Sequence, residues 1–364
     1  MSSFTATDHL LMARALRLAG HGAWTTRPNP MVGCVIAHGE EVVGEGFHQR
    51  AGGPHAEVFA LQAAGDRARG ATAYVTLEPC AHYGRTPPCA LALIEAGVAR
   101  VVAAMADPFP DVDGGGFALL RQAGIEVEVG LMADQARALN AGFLSRIERG
   151  RPLMRVKLAG SLDGRTAMAN GESKWITGEA ARADVQQWRA RAGAILSGAV
   201  TVLADDPLLT ARPEQGEFLP PLRVVLDARL RTLACARVRE GDAPTLYLHD
   251  PALTAPALAL AGAEFAAAPL QVDGRFDLTA VMALLAARGI NEVHVEAGPT
   301  LCGALLQAGL VDELLLYIAP LLMGDSARPL LAGLGIETMT QTVSLEIADT
   351  RMLGKDLRLL LRPA

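Results

Sequence analysis

The chain is poor in lysine, in cysteine and in long apolar runs, and each shortage excludes something. Only three of its 364 residues are lysines, Lys157, Lys174 and Lys355, and 33 basic residues face 39 acidic ones for a net charge of −6. A strongly basic nucleic-acid binder is therefore not expected, because phosphate-backbone affinity comes from clustered positive charge. No stretch reaches the roughly 18 apolar residues that span a bilayer, so neither a membrane span nor a membrane partner is expected. Five cysteines, an odd and low count, argue against an extracellular disulfide framework and point to a reducing, cytoplasmic setting. The opening MSSFTATDHLLMARALRLAG carries Arg14 inside its apolar stretch and reads as an amphipathic helix without the form of a signal peptide. There is no short internal repeat, and no G-x-G-x-x-G fingerprint of a standard dinucleotide site.

Hydrophobic residues make up 51% of the chain and charged residues 20%, enough apolar material for two cores. At roughly 150 residues per domain the expectation is two domains, 1–150 and 151–364, divided at Gly150-Arg151-Pro152. Both halves are mildly acidic, with 12 basic against 15 acidic residues in the first and 21 against 24 in the second. The first half alternates helix and strand patterns: a helix over about 8–20, strands MVGCVIA and EVVGEGFH in a hairpin, then HAEVFALQAAGD, TAYVTLE, PCALALIEAG, RVVAAM, GFALLRQAG and EVEVG. One last helix, DQARALNAGFLSRIERG, closes it. Such alternation predicts a sheet covered by helices on both faces. The second half restarts with PLMRVKLA, GEAARADVQQWRARAG and AILSG. It continues through RVVLDA, TLYLH, DLTAVMALLAARG, EVHVEAG, TLCGALLQAG and ELLLYIAP to a hairpin of SLEIADTRML and DLRLLLRP. That order predicts an α/β fold, mostly parallel with an antiparallel edge. A mean hydropathy of +0.24 suggests buried subunit contacts, hence a homo-oligomer, a dimer or tetramer.

Six of the eight histidines lie in the first 150 residues, and the sharpest signal is there. His55-Ala56-Glu57 is followed by Pro79-Cys80 and, after eight intervening residues, by Cys89. One imidazole and two thiolates are three ligands for a tetrahedral Zn²⁺, and three ligands leave one position for water, the mark of a catalytic site. Glu57, two residues from a ligand, suits the proton shuttle that hydrolysis of an amidine needs. H-x-E with a later P-C-x-x-C is the signature of zinc nucleobase deaminases; this chain matches the first part and stretches the second. A structural zinc site is disfavoured because such sites usually have four protein ligands.

The stretches NPMVGCVI, EGFHQRAGGPHAEVFAL and YVTLEPCAHYGRTPPC resemble the deaminase domain of the bacterial bifunctional riboflavin-biosynthesis enzymes, whose family has this long gap with TPPC before the second Cys. The likeness covers nearly all of 8–150 and implies a cytidine-deaminase-like α/β/α sandwich. It also implies that Asn29, His48, His82 and Arg85 line the substrate pocket, Arg85 being suited to grip a phosphate.

On residues alone the second half says less. VEAGPTLCGALL reads as a strand, a Gly-Pro turn and a helix opened by Thr300, a place where a phosphate can sit or where Thr merely caps. KLAGSLDGRTAMANGESKWITG reads as a long polar site loop holding Lys157, Lys174 and Trp175. TVLADDPLLTAR places Thr201, Asp205 and Arg212 in another strand-end loop. Together KLAGSLDGRTA, ESKWITG, LSGAVTVLADDPLLTAR and VEAGPTL resemble the reductase domain of the same family, over about 152–332 and thinning at 214–275. The likeness implies a dihydrofolate-reductase-like α/β fold that uses NADPH. It further implies cofactor contacts at Ala159, Trp175, Thr201, Asp205 and the turn Gly298, Pro299, Thr300, Leu301, Cys302, Gly303 and Ala304. Substrate contacts would be Ser173, Arg189, Leu209, Arg212 and Glu296, with Lys157, Asp163 and Glu296 as candidate proton donors. Ala228 stands where some relatives carry a small hydroxyl residue.

The expected activity is thus zinc-dependent deamination of a diaminopyrimidine ribose 5′-phosphate, then NADPH-dependent reduction of the ribosyl side chain to ribityl. Its partners would be small pyrimidine ribose phosphates, not nucleic acid. The competing reading is a zinc nucleobase or tRNA deaminase with a non-catalytic C-terminal ligand-binding domain. It would want a basic surface, whereas the first half has no lysine at all.

Overall fold

Thr5 starts the first helix, α1 (Ala6–Gly20), with a capping box. Its hydroxyl accepts from the Asp8 amide while the Asp8 carboxylate accepts from the Thr5 amide. That carboxylate is buried, and it also accepts from Tyr74 Oη at 2.8 Å and pairs with Arg100 at 2.8 Å. One side chain therefore fixes the helix start and ties it to two strands.

The computed structural model describes residues 4–81, 87–109, 114–235, 237–253 and 262–364. The chain forms two compact units, one ending at Gly150 and the next beginning at Arg151. In the first, the hairpin β1 (Gly33–His38) and β2 (Glu41–Phe47) precedes α2 (Ala56–Ala64), β3 (Thr72–Val75), α3 (Cys89–Ala96) and β4 (Arg100–Ala103). Then come α4 (Gly115–Gln122), β5 (Glu126–Val129), α5 (Ala133–Leu139) and α6 (Ala141–Arg149). The sheet order is β2-β1-β3-β4-β5, with β3, β4 and β5 parallel. Separate cores cover its two faces. One packs Ile36 and Val75 against Ala60 and Leu93; the other packs Val35 and Ala37 against Leu11, Met12 and Phe143. The α/β architecture with helices on both faces is as expected. Glycine permits a close contact here: a Cβ on Gly44 would lie 2.2 Å from the carbonyl oxygen of Ala60, so α2 sits directly on β2.

The single helix expected over DQARALNAGFLSRIERG is two, broken at Asn140. The buried Asn140 amide accepts from the Met31 amide at 2.8 Å and donates to the Met31 carbonyl at 2.9 Å. A side chain that serves another segment's backbone overrides the local helical preference.

The second unit comprises β6 (Leu153–Ser161), β7 (Arg165–Ala167), α7 (Glu179–Arg191), β8 (Ala194–Gly198), α8 (Ala199–Asp205), β9 (Leu222–Leu226), β10 (Thr245–His249) and β11 (Ala263–Ala267). It continues with α9 (Leu278–Ala287), β12 (Glu292–Val295), α10 (Pro299–Gln307), β13 (Glu313–Ala319), β14 (Arg328–Pro329), β15 (Leu345–Leu353) and β16 (Asp356–Pro363). The sheet runs β11-β10-β9-β8-β12-β6-β13-β16-β15, seven parallel strands and then the antiparallel hairpin at the edge. Two expectations are corrected. Thr201 and Asp205 lie on the helix α8, not in a loop, because Gly198 releases the strand and the helix runs on until Asp206 turns left-handed before Pro207. The polar segment after residue 157 begins as strand, since β6 extends to Ser161 and β7 pairs with β14; the long coil lies between β7 and α7. The edge strand β11 carried no readable alternation. No helix among the described residues is long and apolar enough to cross a membrane.

A buried ion network joins the central strands β12, β6 and β13. Arg155 pairs with Glu292 at 3.0 Å and Glu313 at 2.7 Å, and Arg191 reaches Glu292 at 3.0 Å. Burial pushes the Glu292 carboxyl up, but Arg191 and Arg155 outweigh it and hold it at about 2 against an ordinary 4.5. A depressed folded value means stability that is complete above pH 4.5 and lost as the pH falls toward 2, about 3 kcal/mol for this group. Urea unfolding of the full chain, followed by tryptophan fluorescence, should show that decline. Glu292→Gln should flatten it while costing roughly 3–5 kcal/mol at pH 7.

Candidate functional site

In the first unit three elements deliver three donor atoms to one point. His55 is the residue before α2 and makes no capping bond with its side chain. Cys80 follows the end of β3, and Cys89 is the first residue of α3. His55 Nδ1 lies 3.2 Å from Cys89 Sγ and 3.6 Å from Cys80 Sγ, and the three ligand atoms fall within 4.8 Å of one another. Tetrahedral zinc with ordinary Zn–N and Zn–S lengths places such atoms about 3.5 Å apart, so the donor set fits that ion. The Cys89 amide also donates to Cys80 Sγ at 3.3 Å. The thiols share one negative charge: the hydrogen bond from Cys89 foremost, then His55, pulls the Cys80 thiol down to about 4. That same bond, with burial, pushes the Cys89 thiol up. A thiolate at a helix N-terminus is the metal-binding form.

Two of the donors, His55 and Cys80, line a cavity of about 350 Å³ together with Asn29, His48 and Glu57. Glu57 is buried, and burial raises its carboxyl above the ordinary value while His55 opposes the rise. His48 is buried too, which lowers its ring below the ordinary value. Its neutral Nδ1–H donates to the Pro54 carbonyl at 3.0 Å, and its Nε2 accepts from the Asn29 amide at 3.1 Å. Both ring nitrogens are thus engaged within the protein, and His48 holds Asn29 in place at the cavity wall. His82 and Arg85 lie outside the described residues.

Other residues at this site went unnoticed in the sequence. Glu78 is buried and accepts from the amides of Gly116 at 3.0 Å, Gly114 at 3.2 Å and Phe117 at 3.3 Å, so it caps α4. Its place directly before Pro79-Cys80 was the available signal. Asp107, Phe109, Phe143 and Arg146 also line the cavity; the last two come from the helix after the Asn140 break.

In the second unit the candidates gather where parallel strands end. Arg189, near the end of α7, donates from Nε and Nη2 to Glu296 at 2.5 and 2.8 Å and from Nη1 to the Thr210 carbonyl at 3.0 Å. Its guanidinium is thereby committed inside the protein. Arg212 is exposed, with its side chain on Thr210 Oγ1 and its amide on Gln186 Oε1 at 2.9 Å. Burial lowers the Lys157 ammonium below its ordinary value, with Glu296 pulling it back. The buried His294, unremarked in the sequence, stands 3.3 Å from Glu296. Burial raises the Glu296 carboxyl, but Arg189 and the surrounding positive groups overcome it and hold the carboxyl well below its ordinary value.

The turn before α10 is capped by Gly298 with Pro299 first in the helix, so Thr300 does not open it. Thr201 Oγ1 accepts from the Gly298 amide at 3.1 Å, joining two of the expected cofactor positions. Thr300 is exposed, Leu301 and Ala304 are half-buried, and Cys302 and Gly303 are buried. A Cβ on Gly303 would lie 2.0 Å from the Ala332 carbonyl oxygen. The Ala159 carbonyl accepts from Thr166 Oγ1 at 3.2 Å. Ser173 is half-buried and Asp205 exposed, while Trp175 lies on the surface under the Arg182 guanidinium, 4.7 Å from its ring centre. Two candidates serve the fold instead. Leu209 is buried against a small core with Ile195 and Val225. The Asp163 carboxylate accepts from Ser161 and from the Met323 and Gly324 amides, contacts led by Ser161 that lower it to about 2 and make it a poor proton donor. Ala228 keeps a backbone role, its carbonyl accepting from Asp250 at 3.1 Å.

Residues 5–105 match the family described as cytidine and deoxycytidylate deaminase zinc-binding region, and residues 152–359 match the RibD C-terminal domain. The chain is 50% identical to the riboflavin biosynthesis protein RibD of Escherichia coli, with 96% of this chain and 97% of that protein covered. Among solved structures, Acinetobacter baumannii RibD superposes with a TM-score of 0.87 at 44% identity, covering 98% of this chain and 99% of that one. A diaminohydroxyphosphoribosylaminopyrimidine deaminase/5-amino-6-(5-phosphoribosylamino)uracil reductase from Thermotoga maritima gives 0.86 at 31% identity, with the same coverage.

If the three donors hold zinc, Cys89→Ala should lower the bound metal well below one per chain after dialysis, read by elemental analysis. Full retention would mean a different ligand set.

Proposed function

The chain belongs to the RibD family, and from that premise we propose how its residues divide two reactions. It is a bifunctional enzyme of riboflavin biosynthesis, a zinc-containing pyrimidine deaminase and an NADPH-dependent reductase. Deamination falls to the unit ending at Gly150 and reduction to 151–364.

The observation that carries the first assignment is the meeting of His55 Nδ1 with two sulfurs beside a buried Glu57 on a cavity wall. His55, Cys80 and Cys89 would hold the zinc, which when bound supplies the Lewis acidity that makes water a nucleophile near neutral pH. Glu57 carries one proton from the attacking water to the ring nitrogen and then the second, from the new hydroxyl, to the departing amine, so that amidine and water become carbonyl and ammonia. Asn29, oriented by His48, binds the polar edge of the pyrimidine. We also assign substrate contacts to His82 and Arg85.

NADPH, when bound, supplies the hydride for the second reaction. To the cofactor phosphates we assign Thr201 and the Gly298 turn, which hydrogen-bond each other at a helix N-terminus, and we assign further cofactor contacts to Ala159, Trp175, Asp205 and the rest of the turn to Ala304. Arg212 is exposed and receives the substrate phosphate, and Ser173 and Leu209 are assigned to the substrate as well; Arg189 fixes Glu296 and the backbone of Thr210. Lys157, its ammonium made more acidic by burial, provides the proton that accompanies hydride addition.

We place the enzyme in the cytoplasm, which suits its five free thiols. We also propose that it assembles as a homo-oligomer, dimer or tetramer. The outermost strand β15 carries exposed Ile347 and Met352, the kind of edge that proteins otherwise shield. The tRNA-deaminase reading has no comparable support, since the relatives that match over the whole chain are riboflavin-biosynthesis proteins.

Two variants separate the sites. Glu57→Gln should retain zinc and lose about 10²–10⁴-fold in ammonia release, while still oxidising NADPH with the deaminated substrate. Near-normal turnover would exclude Glu57 as the shuttle. Arg212→Ala should raise the reductase KM for the phosphorylated substrate about tenfold and leave ammonia release unchanged. Equal loss of both activities would contradict separate sites.

A further inference from the structure

The loop between α8 and β9 carries Arg212, and side chains, not a sheet, hold its backbone. Residues 207–213 belong to no helix or strand. Asp206 and Leu209 take positive φ values of 39° and 46°, left-handed conformations that residues with side chains adopt only where their surroundings impose them. The Leu209 side chain is buried beside Ile195 and Val225. On either side of it, Arg223 Nη1 donates to the Leu208 carbonyl at 3.4 Å and Arg189 Nη1 to the Thr210 carbonyl at 3.0 Å. Two residues further on, the Arg212 amide donates to Gln186 Oε1 at 2.9 Å.

Gln186 and Arg189 both lie on α7, three positions apart, and Arg182 lies four positions before Gln186. That spacing puts the three on one stripe of the helix. Arg182 Nη1 donates to the Thr177 carbonyl at 2.7 Å, and its guanidinium covers the Trp175 ring. A neighbouring face of α7 buries Ala181 and Val185 against Leu315 and Tyr317 of β13. The helix is thus seated on the sheet by one face, and with another it grips two coil segments, the one that bears Trp175 and the one that bears Arg212. At the second segment two bonds to α7, at the Thr210 carbonyl and the Arg212 amide, fix where the Arg212 side chain begins. The Thr210 hydroxyl then takes its guanidinium. A cation held this way has little left to order when an anion arrives, and that saving is expressed as affinity.

We propose that Gln186 is a positioning residue of the reductase site, fixing the backbone of Arg212 so that its guanidinium is presented to the substrate phosphate. This rests on the reading given above that Arg212 receives that phosphate. Gln186 acts through Arg212 and not on the substrate or the cofactor. Its removal is therefore felt in KM for the phosphorylated substrate, and only while Arg212 is present.

The test uses the full-length enzyme carrying Gln186→Met, Arg212→Ala or both. Methionine keeps the length and helix preference of glutamine and removes the amide oxygen. NADPH oxidation is measured with the deaminated substrate and with the same compound lacking its phosphate, and the urea midpoint is followed in every variant. Gln186→Met should raise KM for the phosphorylated compound about 3–10-fold. Its kcat, its KM for NADPH and its kcat/KM for the phosphate-free compound should each stay within about twofold of the parent. In the Arg212→Ala background the same substitution should add less than about twofold, because the group it positions is gone. A rise of equal size in both backgrounds, an unchanged KM, or a loss that falls equally on the two compounds or on NADPH overturns the assignment. Where the phosphate-free compound is not turned over, the comparison of the two backgrounds decides. If Gln186→Met lowers the urea midpoint, Gln186→Leu is judged by the same comparison. An Arg212→Ala enzyme with unchanged KM for the phosphorylated compound overturns the phosphate reading of Arg212, and this role with it; a raised KM there beside an inert Gln186→Met overturns this role alone.

Discussion

Two helix N-termini converge on one short stretch of chain, Leu77 to Cys80, and the metal-binding half of the protein depends on that convergence. Glu78 receives the first amides of α4 and the Cys80 sulfur receives the first amide of α3. Each is a negative group at the positive end of a helix, where unpaired N–H donors would otherwise be buried. Geometry enforces the arrangement: a Cβ at Gly116 would stand 1.8 Å from the Pro79 carbonyl oxygen, so α4 approaches the loop only because that residue is glycine. The Cys80 sulfur, proposed as a metal ligand, is thus also a helix cap. The spacing between Cys80 and Cys89 can stretch to eight residues without moving either donor, because each is anchored at its own end.

The reductase half uses a different logic, in which one carboxylate organises the strand ends. Glu296 follows β12, takes the Arg189 fork and stands beside His294. Arg189 in turn holds the Thr210 carbonyl, and the Thr210 hydroxyl holds Arg212. The exposed Arg212 is therefore positioned through a relay that starts in the sheet. A buried charge pair of this kind adds little net stability compared with apolar packing, but it fixes geometry at an opening where ligands bind.

The cluster of His55, Cys80 and Cys89 was legible in the sequence because its chemistry is intrinsic: an imidazole, a carboxyl and two thiols in that order have few other uses. The layered α/β order was legible as well, since apolar periodicity reports which face is buried. What escaped notice depends on partners distant in sequence. Asn140 breaks a helix for the sake of Met31, 109 positions away, and nothing local marks it. Thr201 reads as loop beside Asp-Asp-Pro, yet it belongs to a helix whose register brings its hydroxyl to Gly298. Leu209, implied by family likeness to be a site residue, and Asp163, a candidate proton donor, are occupied with packing and with backbone amides. Position in an alignment gives the neighbourhood of a residue but not the direction in which its side chain is employed.

The twin hydrogen bonds between Asn140 and Met31 join the last helix of the first unit to the segment that carries Asn29. The pyrimidine pocket is consequently assembled from both ends of that unit, although its metal ligands all lie between. For anyone recombining this enzyme with its relatives, a crossover within residues 106–140 would splice a complete ion-binding core onto a foreign wall. Interchangeable cassettes should instead be cut after Gly150, where pocket and ion travel together.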